Sequence, residues 1–188
     1  MMKQKKKDEF SASTIAMVAL MTALLCILSP FSIPIGPIPV SLATFVIYFS
    51  VILLGWKKGT LSCLLYLLIG FVGLPVFSGF SAGPTKLFGP TGGYLIGYLF
   101  LAVIGGWFAE KFQRKRGMCF LGMVFGTTAC YIVGTVWLAY EAEMTFGLAL
   151  MTGVVPFIMG DLVKIFVAIG IAPVIRGQII KAGYIKTN

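Results

Sequence analysis

The chain has 188 residues, 59% of them hydrophobic and only 11% charged, with no histidine. This composition excludes a water-soluble domain and identifies an integral membrane protein. The net charge of +9 comes in short basic clusters beside apolar runs, which read as solvated faces next to a membrane and not as a nucleic-acid surface.

A helix needs ~20 mostly apolar residues to span the hydrocarbon core, so the chain has room for about six such helices. The predicted fold is an all-α integral membrane protein: one compact bundle over 1–188 with six transmembrane helices and no second domain. Residues 1–10 form a basic tail with Lys3, Lys5, Lys6 and Lys7. The apolar run over 11–33 is long and has no small-residue cleavage site, so it reads as a retained first helix and not as a secretion signal. From Ser29 the chain reads SPFSIPIGPIPVS. Here Pro30, Pro34, Pro37 and Pro39 prevent regular helix and favour an extended, stiff connection.

The runs over 40–54 and 59–75 are short for a full crossing, which predicts tilt, local thinning or neighbouring re-entrant loops. Between 73 and 94 lies GLPVFSGFSAGPTKLFGPTGGY, long for a bundle connection. Such loops are commonly lids or binding loops. Its GFSAGPTKLFG portion is glycine-rich but lacks the adjacent Gly-Lys-Ser/Thr of a nucleotide loop, so no means of hydrolysing ATP is visible. Runs over 91–109, 118–139 and 154–173 complete the six, the last opening with VVPFIMGD.

Lysine and arginine mark cytoplasmic loops. With the N-terminus inside, that face collects the basic tail, Lys57 and Lys58, then Lys111, Arg114, Lys115 and Arg116, then Arg176, Lys181 and Lys186. The outer face receives Lys86, together with Glu141 and Glu143. Both termini are therefore expected in the cytoplasm, and all three irregular Gly- and Pro-rich segments converge on the outer face as re-entrant loops. Such backbone survives at membrane depth only where protein buries it or a polar cavity receives it.

Cys26, Cys63, Cys119 and Cys130 lie in or beside predicted spans, without CxxC spacing or a histidine, so neither disulfides nor a metal site are expected. HExxH, GxSxG and paired acidic residues on a helix face are also missing, and no catalytic residue is assigned. Asp161 and Lys164 stand out, because a spacing of three puts them on one face of the sixth helix, in its outer half. A charge inside the bilayer costs several kcal/mol unless paired or solvated. The site therefore requires a mutual ion pair, a proton-coupling role for the carboxylate, or a ligand with donors and acceptors of its own.

The stretches IGPIPVSLATF, GLPVFSG, GPTGGYLIGY, GTVWL and PFIMGDLVK, spread from the first loop to the last helix, resemble BioY. That family comprises the substrate-binding S components of energy-coupling factor biotin transporters. Met159 is a departure, since the family pattern commonly has proline before Gly-Asp, and it bears on the bend at the start of the sixth helix. The resemblance implies a six-helix S component in a bacterial or archaeal plasma membrane that captures biotin outside. It also implies association with a transmembrane coupling subunit and two cytoplasmic ATPases, which use the ATP; this chain binds no cofactor.

Biotin offers a ureido group with two N–H donors and a carbonyl acceptor, an apolar ring and chain, and a carboxylate. Asp161 can accept from a ureido N–H while Lys164 donates to the ureido oxygen; alternatively Lys164 reaches the carboxylate. Backbone N–H groups around Gly89, Thr91, Gly92, Gly93 and Tyr94, at the start of the fourth helix, suit an anion, and Lys86 stands beside them. Phe77, Tyr94 and Trp137 are candidates to pack on the apolar body. On the first helix, Ala12, Ala16, Ala19 and Ala23 form a small-residue ridge that permits close helix approach, and the resemblance associates such a ridge with docking on the coupling subunit. Competing readings are an S component for another small vitamin, a solitary proton-coupled carrier, and an intramembrane enzyme.

Overall fold

The computed structural model describes residues 11–35 and 38–184. The basic tail 1–10, Pro37 and Lys186 lie outside the described residues. In chain order the elements are α1 (Ala12–Leu28), β1 (Ser32–Ile35), β2 (Ile38–Ser41), α2 (Ala43–Leu54), α3 (Trp56–Val72), α4 (Pro84–Leu87), α5 (Gly92–Lys111), α6 (Arg116–Glu141), α7 (Phe146–Gly153) and α8 (Val155–Lys181).

Helix α1 starts where the Ser11 side chain accepts from the Thr14 N–H at 3.3 Å, satisfying a donor that has no partner inside the helix. Its buried residues Val18, Met21, Thr22 and Leu25 follow helical spacing and form one stripe. The stripe meets α3 through reciprocal bonds. Thr22 Oγ1 donates to the Ser62 carbonyl at 3.3 Å, and Ser62 Oγ donates to the Val18 carbonyl at 3.2 Å. Lipid tails are as apolar as leucine, so such bonds and close packing hold membrane helices together where burial alone cannot.

The proline-rich connection is extended as expected, but it is organised as an antiparallel hairpin with Pro34 opposite Pro39. This corrects the expectation of helices alone. Proline fixes φ in a range that strands accept, and in a two-stranded pair each strand has an open edge where a missing N–H costs nothing. A second addition is α7, a short helix capped by Thr145, whose side chain accepts from the Leu148 N–H at 3.4 Å; it occupies the connection between the last two predicted spans.

Helix α2 is the centre of the molecule, buried at Val46, Ile47, Tyr48, Val51, Ile52 and Leu53 on every side and packed by α1, α3, α5 and α8. It ends at Gly55, whose φ of +86° is one that L side chains rarely adopt; a Cβ there would lie 1.9 Å from Glu110 Oε1. Helices α5 and α6 approach almost backbone to backbone. A Cβ on Gly97 would stand 2.8 Å from Cys130 Sγ, and one on Gly126 2.9 Å from the Leu101 carbonyl oxygen.

Three helical stretches, 92–111, 116–141 and 146–181, are long and apolar enough to cross a membrane, and α1 and α2 are shorter apolar helices. At 17, 12 and 17 residues, α1, α2 and α3 fall short of the ~20 residues a full crossing takes.

The two ends of the bundle differ in chemistry. At one end the Tyr66 hydroxyl bonds Ser29, the Gly79 N–H donates to the Pro30 carbonyl, and the hairpin leads into α2. At the other end Lys58 reaches Thr14, Arg114 Nε donates to the Ile52 carbonyl at 2.9 Å, and Arg176 Nη1 donates to the Leu53 carbonyl. Two cations thus sit on the C-terminal carbonyls of α2, where the helix dipole favours them. Burial holds the Arg114 guanidinium below its usual pKa, with Glu110 opposing that shift.

Candidate binding site

The site is assembled from four elements whose polar residues converge beside the N-terminal turn of α2. Pro156 stands in the first turn of α8, where its missing N–H would be unpaired anyway. Helical spacing from there brings Asp161 and Lys164 to the face that meets α2. Lys164 Nζ donates to Asp161 Oδ1 at 2.9 Å, to the Ser41 carbonyl at 2.8 Å and to Thr44 Oγ1 at 3.0 Å. Thr44 in turn donates its hydroxyl to Asp161 Oδ1 at 2.9 Å. From α6, the Tyr131 hydroxyl donates to Asp161 Oδ2 at 2.6 Å.

An ammonium has three N–H groups and no acceptor, so the three bonds of Lys164 exhaust it. The carboxylate carries about four acceptor sites, and three are taken. Asp161 is 4% exposed, a burial that a carboxylate tolerates only when paired and hydrogen-bonded in this way. Nearby, the Tyr48 hydroxyl bonds Thr127 Oγ1 at 2.6 Å, extending the polar strip along the inner face of α6.

Beside this network lies a half-open cavity of about 360 Å³ between α6, α7 and α8, with Ile132, Phe146 and Ile158 exposed along its rim; its volume is within the size range of small-molecule pockets. Its walls are mainly apolar, with Ile132, Phe146, Leu150, Ile158 and Ile165 among them; Asp161, Tyr131, Thr127 and Thr135 supply the polar groups. Thr127, Tyr131 and Thr135 recur at helical spacing along α6, so the space accommodates an apolar body with a few hydrogen-bonding atoms along one side.

The other residues predicted to face a ligand stand elsewhere. Tyr94 comes nearest: its hydroxyl bonds Thr135 at 3.3 Å, and a Cβ on Gly153 would meet that same oxygen at 2.2 Å, so Tyr94 backs the cavity wall at the α7–α8 joint. Trp137 Nε1 donates to the Gly89 carbonyl at 3.0 Å, and a Cβ on Gly93 would be 2.2 Å from Trp137 Cβ. These contacts tie α6 to the entry of α5. The turn there closes on itself, with the Gly92 N–H on the Gly89 carbonyl and the Tyr94 N–H on the Thr91 carbonyl. Gly92 is required, since a Cβ would lie 1.7 Å from the Leu87 carbonyl oxygen.

Phe77 is fully buried, edge-on to Tyr66 at 5.5 Å between centroids and pressed on Gly70, so it plugs the 73–91 loop onto α3. Lys86 stands in α4, and partial burial holds its ammonium below the usual lysine value. Thr44, Tyr131 and Ser41 were not singled out from sequence. Thr44 lies within SLATF, and Tyr131 is one of several aromatic residues on α6; only the fold aligns them with Asp161.

On α1, Ala12, Ala16, Ala19 and Ala23 are all exposed, opposite the buried stripe.

The sequence model of the BioY family matches residues 2–181. The biotin transporter BioY2 of Lactococcus lactis subsp. cremoris is 35% identical over 80% of this chain and 83% of its own length. The probable biotin transporter BioY of Pyrococcus horikoshii is 37% identical over 89% of this chain and 98% of its own. The biotin transporter BioY of Thermotoga maritima is 40% identical over 80% and 88%. Among solved structures, the S-component for biotin from an ECF-type ABC transporter superposes with a TM-score of 0.82 at 32% identity, covering 88% of this chain and 91% of that one. The chain is a multi-pass membrane protein and belongs to the BioY family.

Proposed function

We propose that this chain is the biotin-binding S component of an energy-coupling factor transporter, a binding and uptake protein and not an enzyme. The observation that carries the reading is a mainly apolar cavity lined by a buried Asp161 that has three of its about four acceptor sites occupied, in a chain whose relatives are named biotin transporters. The apolar ring and chain of biotin suit the cavity walls, and a ureido N–H suits the remaining acceptor site of Asp161. Lys164 serves the ligand by exchanging one of its present acceptors for the ureido oxygen or the carboxylate.

In this reading α1, α2, α3, α5, α6 and α8 are the six spans, and the basic end of the bundle, with both termini, is cytoplasmic. Lys57, Lys58, Lys111, Arg114, Lys115, Arg116, Arg176 and Lys181 all follow from that assignment, and the hairpin, the 73–91 loop and α7 face outward in a bacterial or archaeal plasma membrane. The chain contributes capture; a coupling subunit docked on the exposed alanine ridge and two ATPases contribute the energy. Tyr94 backs the wall of the site through Thr135, while Gly89, Thr91, Gly92, Gly93 and Trp137 hold the entry of α5 against α6, and Lys86 and Phe77 belong to the 73–91 loop that leads into it.

The test is calorimetric titration of the purified chain with biotin and other small vitamins, followed by uptake in proteoliposomes with and without the coupling subunit and ATPases. Saturable binding of biotin alone and strictly ATP-dependent uptake are expected. Binding of another vitamin in preference to biotin would reassign the ligand. Uptake without ATPases that a protonophore abolishes would make the chain a solitary carrier.

A further inference from the structure

Asp161 is held from two sides by groups of different consequence. Oδ1 faces α2 and its own helix, accepting from Lys164 and Thr44 at 2.9 Å each. Neither donor lines the cavity. Oδ2 accepts from the Tyr131 hydroxyl at 2.6 Å, and Tyr131 lines the cavity together with Asp161. Among the described residues, Tyr131 is the hydrogen-bond partner of that oxygen.

We propose that Tyr131 is a positioning residue that keeps one oxygen of Asp161 turned toward the cavity and so makes the site demand a hydrogen-bond donor from its ligand; this rests on the biotin-binding reading above. The terminal torsion of an aspartate is broad and roughly two-fold, and an ammonium 2.9 Å from one carboxylate oxygen is within a small rotation of taking both. Tyr131 opposes that rotation. Its bond uses one acceptor site of Oδ2 and leaves the second open, so a ligand N–H can be received without breaking any existing contact. A ligand acceptor has no such access, because every N–H of Lys164 is committed to Ser41, Thr44 or Asp161. The site therefore discriminates first by what the ligand donates. A partner for Lys164 enters by displacing Ser41, Thr44 or Asp161 from one of its N–H groups.

Tyr131→Phe keeps the ring against the cavity and removes only the oxygen. Without it, the carboxylate rotates until Oδ2 shares with Oδ1 the N–H that Lys164 already directs at Asp161, and this closed pair withdraws the open acceptor site from the ligand. Biotin affinity should fall about tenfold, the loss of one charge-assisted bond. The distinguishing measurement is a double-mutant cycle by calorimetry on the full chain, with Tyr131→Phe introduced alone and in the Asp161→Asn background.

An amide has a single acceptor oxygen and cannot close both terminal atoms onto Lys164. In that background the second change should therefore cost less than about twofold. Equal tenfold losses in both backgrounds would make Tyr131 a mere wall of the cavity and overturn the proposal, as would wild-type affinity in the single variant. If the wild-type chain binds no biotin, it is the functional reading that fails, a result separate from either of these.

Discussion

If Asp161 and Lys164 anchor a ligand, neutralising both must restore the fold without restoring binding. Asp161→Asn removes the negative partner of Lys164, whose side chain is 13% exposed beside a carboxylate side chain that is 6% exposed. Breaking a buried pair from one side typically costs about 3–5 kcal/mol. Here Lys164 keeps the Ser41 carbonyl and the Thr44 hydroxyl as acceptors, so the loss should be smaller, about 1–3 kcal/mol. For a chain of this size each kcal/mol moves the melting temperature by about 2–4 °C.

Lys164→Met leaves Asp161 with donors from Thr44 and Tyr131 and should destabilise the ligand-free protein by a similar amount. The double variant buries no unpaired charge, so its melting temperature should return close to wild type. Biotin binding should behave differently. Each single change forfeits a charge-assisted bond of roughly 1.5–3 kcal/mol, or one to two orders of magnitude in affinity at about 1.4 kcal/mol per tenfold, and the double variant should remain at least as weak. Thermal melts of the ligand-free proteins and calorimetry with biotin separate the two quantities. If the double variant melts like wild type and also binds biotin like wild type, the pair is purely structural and the ligand must be held elsewhere.

Replacing the exposed Ala19 and Ala23 with leucine should leave melting temperature and biotin binding unchanged yet abolish ATP-dependent uptake with the full complex, because a close helix interface cannot absorb the added volume; normal uptake would remove the ridge from the interface. In a background lacking the native cysteines, single cysteines at Ser81 and Glu141 should react with an impermeant thiol reagent in intact cells and one at Lys115 should not. Labelling of the Lys115 position with protection of the Glu141 position would invert the topology. Gly97→Val should destabilise by about 1–3 kcal/mol or more, since even a Cβ would stand 2.8 Å from Cys130 Sγ. Gly170→Ala, where nothing lies within 4 Å, should be neutral or slightly stabilising through helix propensity; comparable losses at the two sites in a melting assay would contradict the α5–α6 packing.

Much of this was legible from local chemistry. Proline fixes its own φ, so the extended character of the 29–41 segment could be read directly, whereas its hairpin pairing depends on Ser32 meeting Ser41, a register set by the whole fold. The Asp161–Lys164 contact follows from helical spacing and needed no tertiary information. Thr44 and Tyr131 were not legible, because they lie 117 and 30 residues away from Asp161 and nothing in their own neighbourhoods marks them. Phe77, a candidate to pack on the apolar body of a ligand, is buried against Tyr66 and Gly70, a packing that its own sequence neighbourhood does not disclose. α7 escaped notice because a helix of 8 residues falls below the length at which periodicity is informative.

The same cations that make the chain basic also explain why α2, only 12 residues long, can stand at the centre of the bundle. Helix α8 runs parallel to it and holds it at both ends: Lys164 on Ser41 and Thr44 at the start, Arg176 on the Leu53 carbonyl at the finish. Arg114 adds a second grip at the Ile52 carbonyl, presented by a turn in which Gln113 and Arg114 adopt φ of +52° and +56°, positions uncommon for residues with a Cβ. Such a turn persists only where its surroundings over-determine it. The two ends are therefore not equivalent. The arginine end is anchored by contacts remote from the cavity, while the lysine end shares its donors with the candidate site. A ligand acceptor that takes an N–H from Lys164 must withdraw it from the Ser41–Thr44 segment or from Asp161. Displacement of a Ser41 or Thr44 contact is thus directed to the hairpin and the first turn of α2, leaving the arginine contacts at the basic end in place.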